Sequence, residues 1–181
     1  MARDVGGMSQ YCRLRIPGAT YFFTVNLAHR GGDLLVSHID ALRAAYAATH
    51  CEQPFQTDAI VVLPDHLHAV WTLPPGDADF SNRWRKIKAR FSRSVGQMQP
   101  RSWSKVRKRE TGVWQRRFWE HAIRDEADYD AHVSYCWANP VKHGHVARAV
   151  EWPHSSIHRD MRLGRVGPEW CGRVLEGTFG E

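Results

Sequence analysis

The feature that most limits the fold is a pair of short apolar runs separated by two turn-forming residues. Residues 58–63 read DAIVVL and residues 66–73 read HLHAVWTL, with Pro64 and Asp65 between them. Both runs are rich in β-branched and aromatic residues, which predicts two strands. Proline and aspartate suit a tight turn. This stretch therefore predicts two consecutive strands, and the rest of the fold has to be built around them.

Further elements follow from the same kind of pattern. Residues 20–27, TYFFTVNL, and residues 116–124, RRFWEHAIR, are predicted strands. Three helices are predicted, each opened by a residue that can cap it. The first helix begins at Ser37 and runs to residue 51, and the second begins after Asp79 or Ser81. The third begins at Asp125 and runs to Pro140, which ends or kinks it.

The order strand, helix, strand, strand, helix, strand, helix predicts an α+β fold. It is typical of a ferredoxin-like, mostly antiparallel sheet with helices packed on it. At 181 residues the chain fits one domain, 1–181, with a basic loop at about 97–112 and an irregular tail at about 164–181. Four widely separated cysteines predict reduced thiols rather than a zinc ribbon.

Positive charge is concentrated in one segment. Between Ser81 and Arg117 the chain carries thirteen of its 25 lysines and arginines and a single acid, Glu110. Such segregation points to a polyanionic partner, with nucleic acid first and an acidic membrane surface second, although a solvated basic face is the plain alternative. On the helix, Arg83, Lys86, Arg90 and Arg93 recur at helical spacing and are predicted to share a face.

His66 and His68 are the first candidates for chemistry. On a strand, residues i and i+2 point to the same side about 6.6 Å apart, so both imidazoles face one point. That geometry suits two ligands of one metal ion. Taken alone, the pair also fits ordinary polar residues at the end of a strand.

A second candidate lies on the third helix. Helical phase groups Tyr129 with Val133, Cys136 and Trp137 on an apolar side, and turns Tyr135 about 120° away from it. Tyr129 is then packing, and Tyr135 is either a reactive phenol or a half-exposed aromatic. Asn139 follows one turn later, where its amide oxygen could join the histidines as a ligand or simply end the helix.

A phenol, a metal site and a basic surface together suggest one reaction. The phenol oxygen attacks a phosphodiester and forms a phosphotyrosine, with the metal polarising the phosphate and the cations holding the backbone. Because the phosphotyrosine conserves the energy of the broken bond, a freed DNA hydroxyl can reverse the step and join strands.

The sequence blocks that carry these residues resemble a known family. They read LPDHLHAVWTLPPGDADFSNRWRKIKARFSR, VWQRRFWEHAIRDEADYDAHVSYCWANPVKHGHV and EWPHSSIHRD. Together with TYFFTVNL they are similar to the REP-associated tyrosine transposases, which belong to the HUH single-strand endonucleases and are related to insertion-sequence transposases. The resemblance covers about residues 11–170.

The resemblance implies a role for each candidate. It implies that His66 and His68 are the metal ligands of an HUH motif on a central strand and that Asn139 is a third ligand, with Mg²⁺ or Mn²⁺ as the cofactor. It also implies that Tyr135 is the nucleophile. The implied substrate is single-stranded hairpin DNA of repetitive extragenic palindromes, which is cleaved by way of a 5′-phosphotyrosine intermediate. The residues implied to contact the hairpin are the cations of the basic helix and loop, namely Arg83, Lys86, Arg90, Arg93, Arg107, Lys108, Arg109, Arg116 and Arg117.

Two other functions remain open at this point. A domesticated hairpin-binding protein would recognise the repeats without cutting them, but would not need both histidines and the tyrosine. A small metallohydrolase leaves the segregated charge unexplained. The resemblance also implies a monomer. No apolar stretch approaches a membrane helix, and the N-terminus lacks the apolar core of a signal peptide, so we expect a cytoplasmic, nucleoid-associated protein.

Overall fold

A four-stranded antiparallel sheet forms the centre of the protein. The computed structural model describes residues 14–96 and 112–172. All three neighbouring strand pairs are antiparallel, and the order across the sheet is β2-β3-β1-β4. The strands are β1 (Thr20–Asn26), β2 (Gln56–Val62), β3 (His66–Thr72) and β4 (Trp119–Ala122).

Helices connect and cover these strands. They are α1 (Leu34–Ser37), α2 (Ile39–Glu52), α3 (Phe80–Val95), α4 (Glu126–Lys142) and α5 (Ile157–Arg162), with a 3₁₀ turn at Ala149–Glu151. The helical connections α2 and α3 each lead to a strand two places away in the sheet, which is the split βαβ arrangement. The predicted ferredoxin-like α+β fold is therefore confirmed. No helix in the described ranges is both long and apolar enough to cross a bilayer.

The helix starts were predicted with mixed success. The carboxylate of Asp79 accepts a hydrogen bond from the backbone N–H of Asn82 at 3.1 Å, and Asp125 caps α4 in the same way. Both caps were predicted. The predicted cap at Ser37 is wrong, because Ser37 ends α1 and α2 begins after His38, whose side chain makes no capping bond.

Pro140 does not end α4, which was the first of the two outcomes predicted for it. The helix continues to Lys142, and backbone bonds close its last turn from His143 to Asn139 at 3.0 Å and from His145 to Pro140 at 2.9 Å. Gly144 adopts a φ of 68°, the left-handed conformation that commonly follows a helix end. The proline loses only one intrahelical bond here, and Lys142 remains part of the helix that carries Tyr135.

The two faces of the sheet are covered by different helices. Side chains alternate along a strand, so odd-numbered residues of β1 and β3, such as Phe23 and Trp71, pack against α2 and α3. The indole of Trp71 stacks on that of Trp84 with ring centres 4.2 Å apart. Even-numbered residues, such as Phe22 and Val70, pack against α4 and α5. Residues of β3 with even numbers therefore face α4, on the side of the sheet away from the basic helix α3.

Candidate active site

The two histidines lie side by side at the start of β3, which is an inner strand. His66 is 2% exposed and His68 is fully buried, and their ring centres are 5.1 Å apart. Both have even numbers, so both point to the α4 face, as the strand alternation predicted. His66 pairs with Asn26, the last residue of β1, which places the pair at one end of the sheet.

Each imidazole is held through its Nδ1 atom. The carboxylate of Asp65 lies 2.6 Å from Nδ1 of His66, and the hydroxyl of Thr24 lies 2.9 Å from Nδ1 of His68. Histidines that bind metals are typically oriented by such a hydrogen bond on the nitrogen that does not bind the ion. The pair therefore fits a metal site in which the Nε2 atoms are the ligands.

The environment also sets the protonation state of His66. Burial first, and the neighbouring His68 second, lower the pKa of His66 to about 4. Asp65 is itself held by Arg30 at 3.0 Å and by the backbone N–H of Gly31 at 2.7 Å. Burial opposes ionisation of Asp65, but the bonds from Gly31 and His66 keep its pKa below the ordinary value. At neutral pH the imidazole of His66 is neutral, which is the form that binds a metal.

Tyr135 lies directly against the histidine pair. Its ring centre is 5.2 Å from that of His68 and 5.8 Å from that of Phe22, both in edge-on contacts. Tyr135 is only 1% exposed, so the interpretation of this tyrosine as a half-exposed aromatic is wrong. The phase analysis misjudged its side because the side of α4 that carries Tyr135 packs on the sheet, against Phe22 and His68, whereas Trp137 of the apolar stripe bonds to Ser156 just before α5.

Lys142 reaches back along α4 to the phenol of Tyr135. Its ammonium donates a hydrogen bond to the tyrosine oxygen at 3.0 Å, and Nζ lies 5.0 Å from the centre of the ring. No role was predicted for Lys142 from the sequence. Asn139 is fully buried on the same helix, one turn after Tyr135. Because α4 continues beyond it, Asn139 does not end the helix.

A second cluster of candidate ligands lies further along the same face. His121 of β4 and Asp128 and His132 of α4 offer ligand atoms within 4.8 Å of one another, so this triad could also hold a metal ion. Nε2 of His121 is 2.8 Å from the carboxylate of Asp128, and Nδ1 of His132 is 3.1 Å from it. Burial opposes ionisation of Asp128, but the bonds from His121 and Arg124 lower its pKa to about 2.

Known proteins resemble this chain in both sequence and fold. The chain is 45% identical over 174 residues to the REP-associated tyrosine transposase of Escherichia coli K12, covering 96% of this chain and 98% of that protein. It is 42% identical over 167 residues to a relative from Haemophilus influenzae that bears the same family name, covering 91% of this chain and 94% of that relative. The chain belongs to the REP-associated tyrosine transposases.

The solved structures agree with this assignment. A REP-associated tyrosine transposase bound to a REP hairpin superposes on the chain with a TM-score of 0.87 at 45% identity, covering 96% of this chain and 98% of the other. No family model matches the chain. Membership makes the chain an enzyme of the tyrosine transposase type, and its antiparallel α+β fold is that of the hairpin-bound relative.

One predicted DNA contact of this transposase has a structural role instead. Arg83 is 2% exposed and donates hydrogen bonds to the carbonyl oxygens of Gln53 at 3.1 Å and Pro54 at 2.8 Å. Its guanidinium also pairs with the carboxylate of Asp77 at 2.6 Å. Arg83 therefore fixes the connection between α2 and β2 to the start of α3, and its side chain does not reach a surface where DNA could bind.

The other predicted cations divide between paired and exposed side chains. Lys86 and Arg90 both pair with Glu52 of α2, so the face predicted to meet DNA is largely the face that meets α2. Arg93, Arg116 and Arg117 are exposed. Arg107, Lys108 and Arg109 lie outside the described residues.

Proposed function

We propose that the protein is a metal-dependent endonuclease and strand transferase for single-stranded DNA. It cleaves and rejoins hairpin-bearing repetitive extragenic palindromes through a 5′-phosphotyrosine intermediate. The observation that carries this proposal is the buried group formed by His66, His68, Tyr135 and Lys142. The substrate class is supported by the relative at 45% identity that is bound to a REP hairpin.

In the proposed reaction the oxygen of Tyr135 attacks a backbone phosphorus atom. The new bond joins that oxygen to phosphorus, and the bond from phosphorus to the 3′ oxygen breaks. The phenolic proton passes to solvent, and the 3′ oxygen takes up a proton to become a free hydroxyl. Edge-on contacts with Phe22 and His68 fix the ring, so the oxygen is held in place before the phosphate arrives.

Lys142 has a part in both directions of the reaction. Its side-chain nitrogen donates a hydrogen bond to the tyrosine oxygen. During cleavage the positive charge of Lys142 stabilises the oxygen as it loses its proton. During rejoining it stabilises the negative charge left on the same oxygen when the phosphorus–oxygen bond breaks.

The proposed metal ligands are His66, His68 and Asn139, with Mg²⁺ or Mn²⁺ as the ion. Two neutral imidazoles and an amide oxygen form a set of uncharged ligands, which leaves the full positive charge of the ion to act on a phosphate. When bound, the ion supplies charge that polarises the phosphate. Asp65 and Thr24 orient the two imidazoles toward it.

The two histidine clusters can be separated by their metal dependence. We expect His68→Ala to abolish cleavage and to weaken Mn²⁺ binding, measured by calorimetry, by at least about tenfold, because orienting and ligating groups typically have effects of this size or larger. His121→Ala removes a histidine from the other cluster and should leave both properties within about twofold. The opposite pattern, with Mn²⁺ binding lost only in His121→Ala, would place the catalytic ion at the His121 triad and overturn this ligand assignment.

The proposed hairpin contacts are all the predicted cations except Arg83. They comprise Lys86, Arg90, Arg93, Arg107, Lys108, Arg109, Arg116 and Arg117. Arg116 and Arg117 are well placed, because they follow Gln115, whose backbone N–H bonds to the carbonyl of Asn26 at the active-site end of β1. Phosphate contacts of this kind position the duplex without reading its sequence.

Surface and buried arginines should respond differently to substitution. The double variant Arg116→Glu/Arg117→Glu is expected to weaken hairpin binding at least tenfold at physiological salt and to change the free energy of unfolding by no more than about 1 kcal/mol, as is usual for surface charges. Arg83→Met should instead lower that free energy by about 3 kcal/mol, since it leaves buried carbonyls and Asp77 without their partner. Binding titrations and urea denaturation measure both effects. Full hairpin affinity in the double variant would remove these two arginines from the interface.

The proposed activity is tested by looking for a covalent protein–DNA species. The protein is incubated with a single-stranded hairpin from the host's own repeats, with Mn²⁺ or with a chelator, and run on a denaturing gel. A metal-dependent adduct supports the endonuclease. Tight hairpin binding without an adduct would instead indicate a domesticated binding protein, and absence of binding would refute both.

The remaining proposals concern the form in which the protein acts. We propose that one chain, folded as a single domain, acts as a monomer, because β3 and α4 of the same chain supply the proposed metal ligands, the nucleophile and Lys142. Light scattering of the hairpin complex would contradict this if its mass corresponded to two chains. We place the enzyme in the cytoplasm with the nucleoid, which fluorescence microscopy of a tagged protein would test.

A further inference from the structure

The edge strand β4 carries an aromatic feature that the proposed reaction does not use. We propose that Trp119 is a stacking surface for an unpaired base of the single-stranded DNA beside the hairpin. This inference rests on the proposed function and adds to it a residue that recognises the strand to be cut. The occupant is a nucleobase, which a flat ring binds through its face whatever its sequence.

Trp119 is the outer member of a stack of three parallel rings. Its ring lies 5.9 Å from that of His121 with only 7° between the planes, and His121 lies 4.7 Å from His132 at 16°. His132 is 6% exposed, whereas Trp119 is partly exposed. The stack therefore runs from the interior to the surface and ends in a large aromatic ring that a base can extend.

The stack is fixed in place before any DNA binds. His121 is hydrogen-bonded to the carboxylate of Asp128 at 2.8 Å, and His132 is bonded to the carbonyl of Asp128 at 2.7 Å. These bonds join β4 to the first turns of α4 and hold both imidazoles parallel. A ring that is already oriented loses little freedom when a base stacks on it, which favours binding.

The outer ring lies close to the nucleophile. Phe22 makes edge-on contacts with both Trp119 and Tyr135, each with ring centres 5.8 Å apart. The distance between the ring centres of Trp119 and Tyr135 is therefore no greater than these two distances added together. In the sheet, Trp119 pairs with Thr24, and Thr24 pairs with His68. One short stretch of DNA can reach the stack while its phosphate meets Tyr135.

The charges around Trp119 suit a nucleic acid strand. Residues 112–124 carry three arginines and one glutamate, and the glutamate, Glu120, is buried. Arg116 and Arg117 are exposed just before the strand, whereas Arg124 just after it pairs with Asp128. A strand lying on the ring would thus have two exposed cations for its phosphates on the side of Arg116 and Arg117.

Another tryptophan of the same segment does not offer such a surface. Trp114 is 7% exposed and packs edge-on against Phe91 of α3 in the other core. The two indoles are five residues apart in the sequence, and the structure assigns them to opposite faces of the sheet. The face of Trp119 is the face of Tyr135.

The test compares two hairpins in Tyr135→Phe protein, in which no cleavage interferes with binding. One hairpin carries its natural single-stranded flank and the other ends flush with the stem. We expect Trp119→Ala to weaken binding of the flanked hairpin about tenfold and to leave the flush hairpin within twofold, as for the loss of one stacked base. Trp119→Phe should retain most of the flank-dependent affinity, and Trp170→Ala, which alters another partly buried indole, should change neither hairpin.

Abasic substitution in the DNA identifies the stacked base and distinguishes loss of that contact from misfolding of the Trp119→Ala variant. Abasic nucleotides placed in turn along the flank should reveal one position where Trp119→Ala causes no further loss, because the interaction is already absent. An equal loss for both hairpins, or no position that couples to Trp119, would overturn the inference. Failure of Tyr135→Phe protein to bind either hairpin would instead refute the proposed function, so the two failures are distinguishable.

Discussion

Tyr135→Phe is expected to abolish the covalent protein–DNA adduct. Phenylalanine keeps the ring and its contacts with Phe22 and His68, but removes the only atom that can bond to phosphorus. Deleting a nucleophile reduces the rate by more than about 10³-fold in well-studied enzymes, so no adduct should appear on a denaturing gel within the wild-type time course. Hairpin affinity should stay within about twofold, because the substitution removes one uncharged hydroxyl and leaves the surface arginines unchanged.

Tyr129→Phe is the matched control for this experiment. Tyr129 lies on the same helix but in a different environment, where burial and the nearby carboxylate of Asp58 raise its pKa to about 12. Its removal should leave adduct formation near the wild-type rate. An adduct that persists in Tyr135→Phe and disappears in Tyr129→Phe would reverse the assignment of the nucleophile.

Lys142→Met is expected to slow cleavage about 10²-fold. Methionine has a similar length and no charge, so the tyrosine oxygen would lose its hydrogen-bond donor and the neighbouring positive charge together. Loss of one donor to an oxygen that develops charge typically costs about 10²- to 10³-fold in rate. The measurement is the single-turnover rate of adduct formation, taken beside hairpin affinity and the thermal midpoint, both of which should remain near wild type.

The rejoining step and a conservative variant separate this role from a structural one. Lys142→Arg keeps a cation near the phenol and should recover much of the rate, which a packing role would not predict. The reverse reaction, started from purified adduct and a free 3′-hydroxyl strand, should be slowed by Lys142→Met as well. Arg43→Met, which removes an exposed cation from α2 on the other side of the sheet, should affect neither step. A Lys142→Met rate equal to wild type would exclude the proposed contribution.

The histidine pair illustrates what local sequence can predict. Alternation along a strand was enough to place His66 and His68 on one side, because every second residue of a strand points the same way. Their supporting groups were harder to find. Asp65 is adjacent in the chain, but Thr24 is brought to His68 only by the pairing of β1 with β3, which no short-range pattern encodes.

The errors in the predictions for the helices also arise from contacts between residues far apart in the sequence. Periodicity correctly grouped the cations of α3, but it could not say which neighbour that group would face, and α2 supplied Glu52 to Lys86 and Arg90. On α4, the apolar stripe indicated one covered side. The side that carries Tyr135 packs on Phe22 of β1 and His68 of β3, and so Tyr135 is buried rather than outward-facing. Assigning its role required the family resemblance.

The alternation of β3 also has a consequence for how such genes diverge. One extra or missing codon between His66 and the remainder of the strand would reverse every side chain that follows and exchange the two cores. His68 would then turn toward α3, and Trp71 would leave its stack with Trp84. Length changes should therefore be absent from this strand across the family and accumulate in the connections, while β3 itself evolves by substitution alone.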